Sequence, residues 1–111
     1  MQAAVVTLPA YEKQAKKLLT PEERAALEDH IAERPMDHPI VAGTGGVRKA
    51  RWGRSGKGKS GGVRVIFYFQ VRPPVIFMLT LYAKNAQADL TEADKRAIKA
   101  VVFRLKGRIV Q

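Results

Sequence analysis

The sequence contains no cysteine and only two histidines. The missing thiols exclude a disulfide framework, a thiolate nucleophile and a cysteine-ligated metal site. His30 and His38 lie in the acidic N-terminal half of the chain and form no recognisable metal-binding cluster, and we interpret them as surface residues rather than an acid–base pair. We therefore expect no metal site and no cofactor, and the absence of cysteine suits a reducing cytosol.

A long apolar run is also missing. The N-terminal residues MQAAVVTLPAYEK have no basic segment, and Pro9 interrupts their apolar stretch after a few positions. We therefore expect no signal peptide, no membrane span and a cytoplasmic protein. A chain of 111 residues is expected to form a single domain over residues 1–111.

Acidic residues are absent between His38 and Ala88, although the chain has ten of them elsewhere and a net charge of +10. The acid-free segment carries nine cations: Arg48, Lys49, Arg51, Arg54, Lys57, Lys59, Arg64, Arg72 and Lys84. A cationic field this local predicts an anionic partner, with nucleic acid first and an anionic membrane surface second. A solvated basic face without a special partner is the alternative.

Two nucleotide-binding patterns overlap in this segment. Residues 53–60, GRSGKGKS, fit the phosphate-binding loop of ATPases, and residues 56–61, GKGKSG, fit the dinucleotide fingerprint. Both patterns need a following helix, whereas the next residues, GGVRVIFYFQ, alternate as in a strand. We interpret the stretch as a hairpin loop, in which Arg54, Lys57 and Lys59 are placed to follow a phosphate chain.

The first part of the chain predicts a short strand at AAVVTL and then two helices. Thr20 as N-cap, Pro21 in the first turn and Glu23 in a capping box mark the start of the second helix. This helix is expected to run to about Glu33 and to stop before Pro35.

The second part predicts three strands and a last helix. VRKARW, GVRVIFYFQV and VIFMLTLYAK are rich in β-branched and aromatic residues, and residues 72–74 can turn between the last two strands. Thr91 with Asp94 marks the start of the last helix, and Gly107 is expected to end it. The predicted fold is α+β: a small antiparallel sheet with two N-terminal helices and one C-terminal helix.

Alternation along the strands separates an apolar face from a cationic one. Facing the core we expect Ala50, Trp52, Val63, Val65, Phe67, Phe69, Val75, Phe77, Leu79, Leu81 and Ala83. On the other face we expect Ile66, Ile76 and Met78, together with Lys49, Arg51, Arg64, Tyr82 and Lys84. The last helix is expected to cover part of this face and to leave an open cationic patch at one end. Alternatively, the cations only solvate an exposed sheet face.

Such a patch, with no carboxylate expected near it, suits metal-free cleavage of RNA, in which the 2′-OH attacks the adjacent phosphorus. Crowding by cations lowers a lysine pKa, so Lys49 or Lys84 is a candidate base. The planar fork of Arg64 suits the equatorial phosphoryl oxygens. Tyr82 is a candidate for stacking on a base or for proton transfer.

Four segments of the chain resemble the RelE/HigB superfamily of bacterial type II toxins, and its HigB-2-like branch most. They are GTGGVRKARW, GKGKSGGVRVIFYF, LTLYAKN and DLTEADKRAI, and the resemblance extends over about residues 3–104. The resemblance implies a RelE-like fold, β-α-α-β-β-β-α. It also implies an mRNA interferase that cuts messages in the ribosomal A site and stops translation.

The resemblance further implies a cognate antitoxin, often a helix-turn-helix protein like HigA, and a site of basic residues on the sheet. The basic pair of the family matches Lys49 and Arg51, its arginine matches Arg64, and its basic or histidine position falls on Lys84. The chain lacks a histidine at that point and the C-terminal tyrosine of other members, so the general acid and base stay open. Contacts to RNA or the ribosome are predicted for Arg48, Arg54, Lys57, Lys59 and Asn85.

Two other functions fit the same residues. One is a non-catalytic RNA- or DNA-binding module that uses the cationic face for phosphate contacts alone. The other is a degenerate toxin whose main role is to bind its antitoxin.

Overall fold

The computed structural model describes residues 3–54, 58–87 and 89–109, and the side chains of all of these except residues 54, 58–61, 108 and 109. It confirms the predicted α+β class and order of elements. The elements are β1 (Ala4–Thr7), α1 (Pro9–Leu18), α2 (Pro21–Glu33), β2 (Arg48–Arg54), β3 (Gly58–Gln70), β4 (Val75–Ala83) and α3 (Glu92–Ile109). Within the described ranges, no helix is long and apolar enough to cross a membrane.

The helix starts follow the predicted capping chemistry. The Thr20 hydroxyl accepts a hydrogen bond from the Glu23 N–H at 3.1 Å, and the Glu23 carboxylate accepts one from the Thr20 N–H at 2.8 Å. Thr91 and Asp94 exchange the equivalent two bonds before α3, at 3.0 and 2.9 Å. The prediction that Gly107 ends α3 was wrong: Gly107 does not adopt the left-handed backbone of a glycine C-cap, and the helix continues to Ile109.

The sheet has four strands in the order β1-β4-β3-β2. The strands β2, β3 and β4 are antiparallel neighbours, as predicted. β1 pairs with β4 in parallel, with Ala4 opposite Val75, so the sheet is mixed rather than antiparallel. The alternation of side chains carries no information on strand direction, and this pairing could not be read from it.

The glycine-rich stretch lies largely within the hairpin strands instead of forming a long loop. Arg54 pairs with Gly58, and β3 continues without a break to Gln70, so a strand rather than a helix follows the phosphate-loop pattern. Gly62 permits the close approach of the two strands, because an added Cβ would lie 2.1 Å from the Trp52 carbonyl oxygen.

Each face of the sheet packs against helices and forms its own core. On one face, α1 and α2 contribute buried Tyr11, Leu27 and Ile31 against Phe67 and its neighbours on β3. On the other face, α3 covers buried sheet residues with Ile98 and Val102. The second core comprises Val47, Ile66, Leu79, Tyr82, Leu90, Ile98 and Val102.

A bulge in β4 corrects the predicted facing of the five residues from Val75 to Leu79. Phe67 pairs with Met78 and Ile66 pairs with Thr80, so Leu79 is an extra residue without a partner. The extra residue reverses the alternation, so Ile76 and Met78 belong to the core under α1 and α2. Leu79 belongs to the core under α3, with Phe77 packed against it. A one-residue insertion of this kind leaves no signal in an uninterrupted apolar run.

Candidate functional site

The strand register brings together polar residues from three strands on the face that α3 partly covers. Arg51 on β2 lies opposite Arg64 on β3, and Arg64 lies opposite Tyr82 on β4. Neighbouring strands are about 4.8 Å apart, so these three residues form one row across the sheet. Lys49 lies two residues before Arg51, and Lys84 continues the alternation of β4 beyond Tyr82. We call Lys49, Arg51, Arg64, Tyr82 and Lys84 the basic strip.

Exposure falls along the row from Arg51 on the edge strand to Arg64 and Tyr82 on the two central strands. Arg51 is exposed and Lys49 and Lys84 are half-buried. Arg64 is 5% exposed and Tyr82 is 9% exposed. α3 lies over the apolar part of the same face and also over Tyr82, so solvent reaches the strip at Arg51 and in part at Lys49 and Lys84. We call the end of the face that carries the strip the open end.

Arg64 is the buried cation of the strip. One guanidinium nitrogen donates a weak hydrogen bond to the Val63 carbonyl at 3.4 Å. The flanking strands hold its backbone on both sides, at Arg51 and Tyr82. A guanidinium fixed in this way presents its planar fork with little loss of conformational entropy on binding an anion.

Asp89 contradicts the expectation that no carboxylate lies near the patch. This residue precedes α3, and its Oδ1 lies 3.4 Å from the Lys49 Nζ. The Leu90 N–H, which donates to the same oxygen at 2.8 Å, and the Lys49 ammonium lower the pKa of the Asp89 carboxyl. The two residues are 40 positions apart in the sequence, and the fold brings them together. The acid-free run around Lys49 therefore gave no indication of a carboxylate beside it. The only available signal was that Asp89 is the first acidic residue after that run.

Tyr82 has a buried hydroxyl with no hydrogen-bond partner among the described residues. Burial raises the pKa of this phenol, the Asp89 carboxylate acts in the same direction, and the Arg64 guanidinium opposes both. The phenol is therefore protonated at neutral pH. Its ring is too buried to stack on a base in this conformation, and its hydroxyl is equally buried, so proton transfer to a substrate requires the covering residues to move.

A groove of about 660 Å³ begins beside Tyr82 and runs between α1, β4 and α3. Its walls are mainly aliphatic, from Leu8 and Leu18 on one side and from Ile98 and Val101 on the other. Tyr82 thus separates a cationic surface from an apolar one.

The remaining predicted residues do not all join the strip. Arg48 lies on the opposite face, where its guanidinium donates to the His38 carbonyl at 2.7 Å. Asn85 is exposed in the turn after β4. Lys57 lies outside the described residues, as do the side chains of Arg54 and Lys59.

The two histidines also lie apart from the strip. Their rings are 5.6 Å apart, beside Trp52 and Phe67 on the opposite face, and burial lowers the pKa of His38. In the described ranges, no group of three or more histidine, aspartate or glutamate side chains is arranged to hold a metal ion.

The GTGG segment at residues 43–46 precedes β2 and lies against α3, next to the Val102 side chain. Gly43, Gly45 and Gly46 have φ of 79°, 80° and 107°, the left-handed region that glycine adopts without strain. Thr44 is buried, and its hydroxyl donates to the Val41 carbonyl at 2.6 Å and accepts from the Val47 N–H at 3.1 Å. The segment therefore has a structural role next to the site.

Comparison with known proteins agrees with this architecture. A free-state structure of a mutant E. coli toxin RelE matches with a TM-score of 0.57 and 18% sequence identity, over 79% of this chain and 90% of that one. At this identity the match shows a shared fold. The family model described as the RelE toxin of the RelE/RelB toxin–antitoxin system matches residues 36–108, more than half of the chain and all of the basic strip. The chain therefore belongs to the RelE toxin family, the toxin components of toxin–antitoxin systems.

Proposed function

We propose that this toxin is a metal-independent endoribonuclease that cuts mRNA in the ribosomal A site and so stops translation. The observation that carries the proposal is the row formed by Arg51, Arg64 and Tyr82 at the open end of the sheet face. Two cations beside a protonated phenol supply charge stabilisation and a proton donor for transfer of a phosphoryl group. Membership of the RelE family supports the same activity.

The proposed reaction uses the 2′-OH of the message as nucleophile. Its proton passes to a lysine amine while the 2′-oxygen forms a bond to the adjacent phosphorus. The bond from phosphorus to the 5′-oxygen then breaks, and the phenol of Tyr82 donates a proton to that oxygen. The products are a 2′,3′-cyclic phosphate and a 5′-hydroxyl, and both groups are then reset through solvent: the lysine ammonium releases its proton and the Tyr82 phenolate takes one up.

We assign to the two arginines the stabilisation of the negative charge that develops on the phosphoryl oxygens. We assign the equatorial oxygens to Arg64, because its guanidinium has the matching planar fork and its backbone is fixed between two strands. Arg51, which is exposed in the same row, guides the phosphate to it. Removing one positioned donor from a site of this kind typically costs about 100- to 1,000-fold in rate.

The two lysines differ in their surroundings, and this difference assigns their roles. The ammonium of Lys49 is paired with Asp89, so we assign it to phosphate binding. For Lys84, the described part of the chain shows no carboxylate within ion-pair distance of its amine. We assign the removal of the 2′-OH proton to Lys84.

The proposed partners are the ribosome with its message and a cognate antitoxin. The motifs GTGGVRKARW and DLTEADKRAI favour the HigB-2-like branch and thus a helix-turn-helix antitoxin like HigA. The Tyr82 hydroxyl is buried, so a substrate reaches it only when the residues that cover it move. This burial supports a second candidate, a non-catalytic RNA-binding module or degenerate toxin.

Cell-free translation with purified protein tests the proposal. The 5′ ends of the message are mapped by primer extension, with and without ribosomes, for the natural chain, Arg64→Ala and Arg72→Ala. Arg72 is an exposed arginine in the turn before β4 and serves as the matched control. We expect in-frame cuts that require ribosomes, persist in Arg72→Ala and disappear in Arg64→Ala. Intact message together with bound ribosomes would refute cleavage and favour the binding module.

A further inference from the structure

The outer face of α3 carries a second set of cations with one aromatic side chain at its centre. After Asp94 the chain has six basic residues and no acidic ones. Arg96, Lys99 and Lys106 are exposed on the helix at spacings of three, four and seven residues from Phe103, so the four side chains share one face. The ring of Phe103 is 78% exposed.

We propose that this face of α3 is an RNA-binding surface separate from the basic strip, with its cations on phosphates and Phe103 stacked on a base. The inference rests on the proposed function only in taking RNA as the partner. Stacking of bases on aromatic side chains between cations is the usual means of sequence-tolerant binding to single strands.

The surroundings of Phe103 favour RNA over a protein partner. The core of a protein interface needs a cluster of apolar side chains, whereas the four-residue face contains one. The aliphatic surface of α3, with Ile98 and Val101, points instead into the groove beside Tyr82. Among the described residues of α3, the acidic side chains are Glu92 and Asp94, and both lie in the first helical turn.

The α3 face begins near the basic strip. Lys95, one residue before Arg96, is paired with Glu92 at 3.4 Å and is also close enough to Asp89 to help lower the pKa of that carboxyl, which is paired with Lys49 of the strip. Lys106 is held at the other end, where its Nζ donates to the Gly45 carbonyl at 3.2 Å and lies 5.7 Å from the centre of the Tyr68 ring. From Lys95 to Lys106 the helix rises about 16 Å, enough for several nucleotides beyond the strip.

Fluorescence anisotropy with a short, unstructured 2′-O-methyl RNA as probe tests this inference, since that RNA is not cut by the proposed route. For Arg96→Gln with Lys99→Gln, we expect the slope of log affinity against log salt to fall by about 1.4, or 0.7 per phosphate contact. For Phe103→Ser, we expect at least about fivefold weaker binding with an unchanged slope. The matched control, Lys13→Gln with Lys17→Gln, removes two exposed charges from α1 and should leave both quantities unchanged.

Two results would overturn the inference. One is an equal change of slope in the α1 and α3 charge variants together with natural affinity in Phe103→Ser. The other is natural RNA binding by the α3 variants with loss of a co-expressed antitoxin, which would assign the face to a protein. Cleavage is measured separately: a natural chain that binds RNA through α3 but cuts no message would refute the proposed function and leave this inference standing.

Discussion

Arg64 and Ile66 lie two residues apart on β3 and on the same face of the sheet, yet their surroundings are opposite. Ile66 is fully buried under α3, in the core that contains Leu79 and Val102. Arg64 is nearly as buried, but its neighbours across the sheet are Arg51 and Tyr82. The closed end of the face contributes stability through apolar burial. The open end concentrates cations, which in our proposal carry the chemistry.

The difference follows from where α3 begins. The chain leaves β4 at Ala83, turns, and starts α3 only at Glu92. Leu90 is the first residue after the turn that packs into the second core. Asp89, immediately before it, reaches Lys49 of the strip. The segment before the helix is therefore the boundary between the two ends.

The largest effect is expected from damage to the closed end. Ile66→Ala removes a fully buried side chain beneath α3 and should lower the free energy of unfolding by about 2–5 kcal/mol. Urea unfolding followed by circular dichroism measures the change. At temperatures where the variant is folded, cleavage should be close to that of the natural chain. A rate loss without a stability loss would contradict the division between the two ends.

The reverse result is expected for the open end. Arg64→Ala should lower the cleavage rate about 100- to 1,000-fold, because it removes the buried guanidinium proposed to bind the phosphorane. Arg64→Lys should recover little, since an ammonium lacks the planar fork. Rates at saturating protein are the readout, with Arg72→Ala as control. Full activity in Arg64→Lys would show that charge alone is sufficient there.

Removing the Tyr82 hydroxyl should lower the cleavage rate without lowering the free energy of unfolding. Tyr82→Phe removes a buried hydroxyl that has no partner among the described residues, so the variant should be about as stable as the natural chain or about 1 kcal/mol more stable. Its cleavage rate should fall by about 100-fold if the phenol donates the proton. Thermal unfolding and single-turnover rates, measured on the same preparation, check both signs. Unchanged cleavage would remove Tyr82 from the mechanism.

A smaller effect is expected at the boundary. Asp89→Asn removes the carboxylate paired with Lys49 and frees that ammonium for phosphate. RNA affinity at low salt should rise by a few-fold, with a salt slope steeper by no more than about 0.7. Anisotropy titrations measure both quantities. Weaker binding would show instead that Asp89 positions Lys49 for RNA.

The smallest effect concerns the opposite side of the sheet and provides a control for pH experiments. Hydrogen bonds from Arg24 and Thr7 lower the pKa of Glu12 from 4.5 to about 2. A carboxyl with a depressed folded-state pKa stabilises the fold above its unfolded pKa, and this contribution is lost as pH falls. The free energy of unfolding should therefore decrease between about pH 4.5 and pH 2. Glu12→Gln should flatten this decrease, and an identical profile would contradict the assignment.

The sequence predicted the elements whose signals are local. Capping residues located the start of α2, and alternation placed Lys49, Arg51, Arg64 and Tyr82 on one face. The facing of Ile76 and Met78 was missed because the bulge at Leu79 depends on how β4 fits two neighbours at once. The Asp89–Lys49 pair was missed because it depends on the path of the chain into α3, which local patterns do not contain.

The most direct test of the central claim is single-turnover cleavage of a ribosome-bound message that carries one 2′-deoxynucleotide at the position cut in the natural message. If the open end of the sheet face acts through the 2′-OH, cutting there should stop. The unmodified message should yield a 2′,3′-cyclic phosphate, at a rate that collapses in Arg64→Ala and is retained in Arg72→Ala. Cutting of the deoxy-substituted message at an unchanged rate would contradict the proposed chemistry.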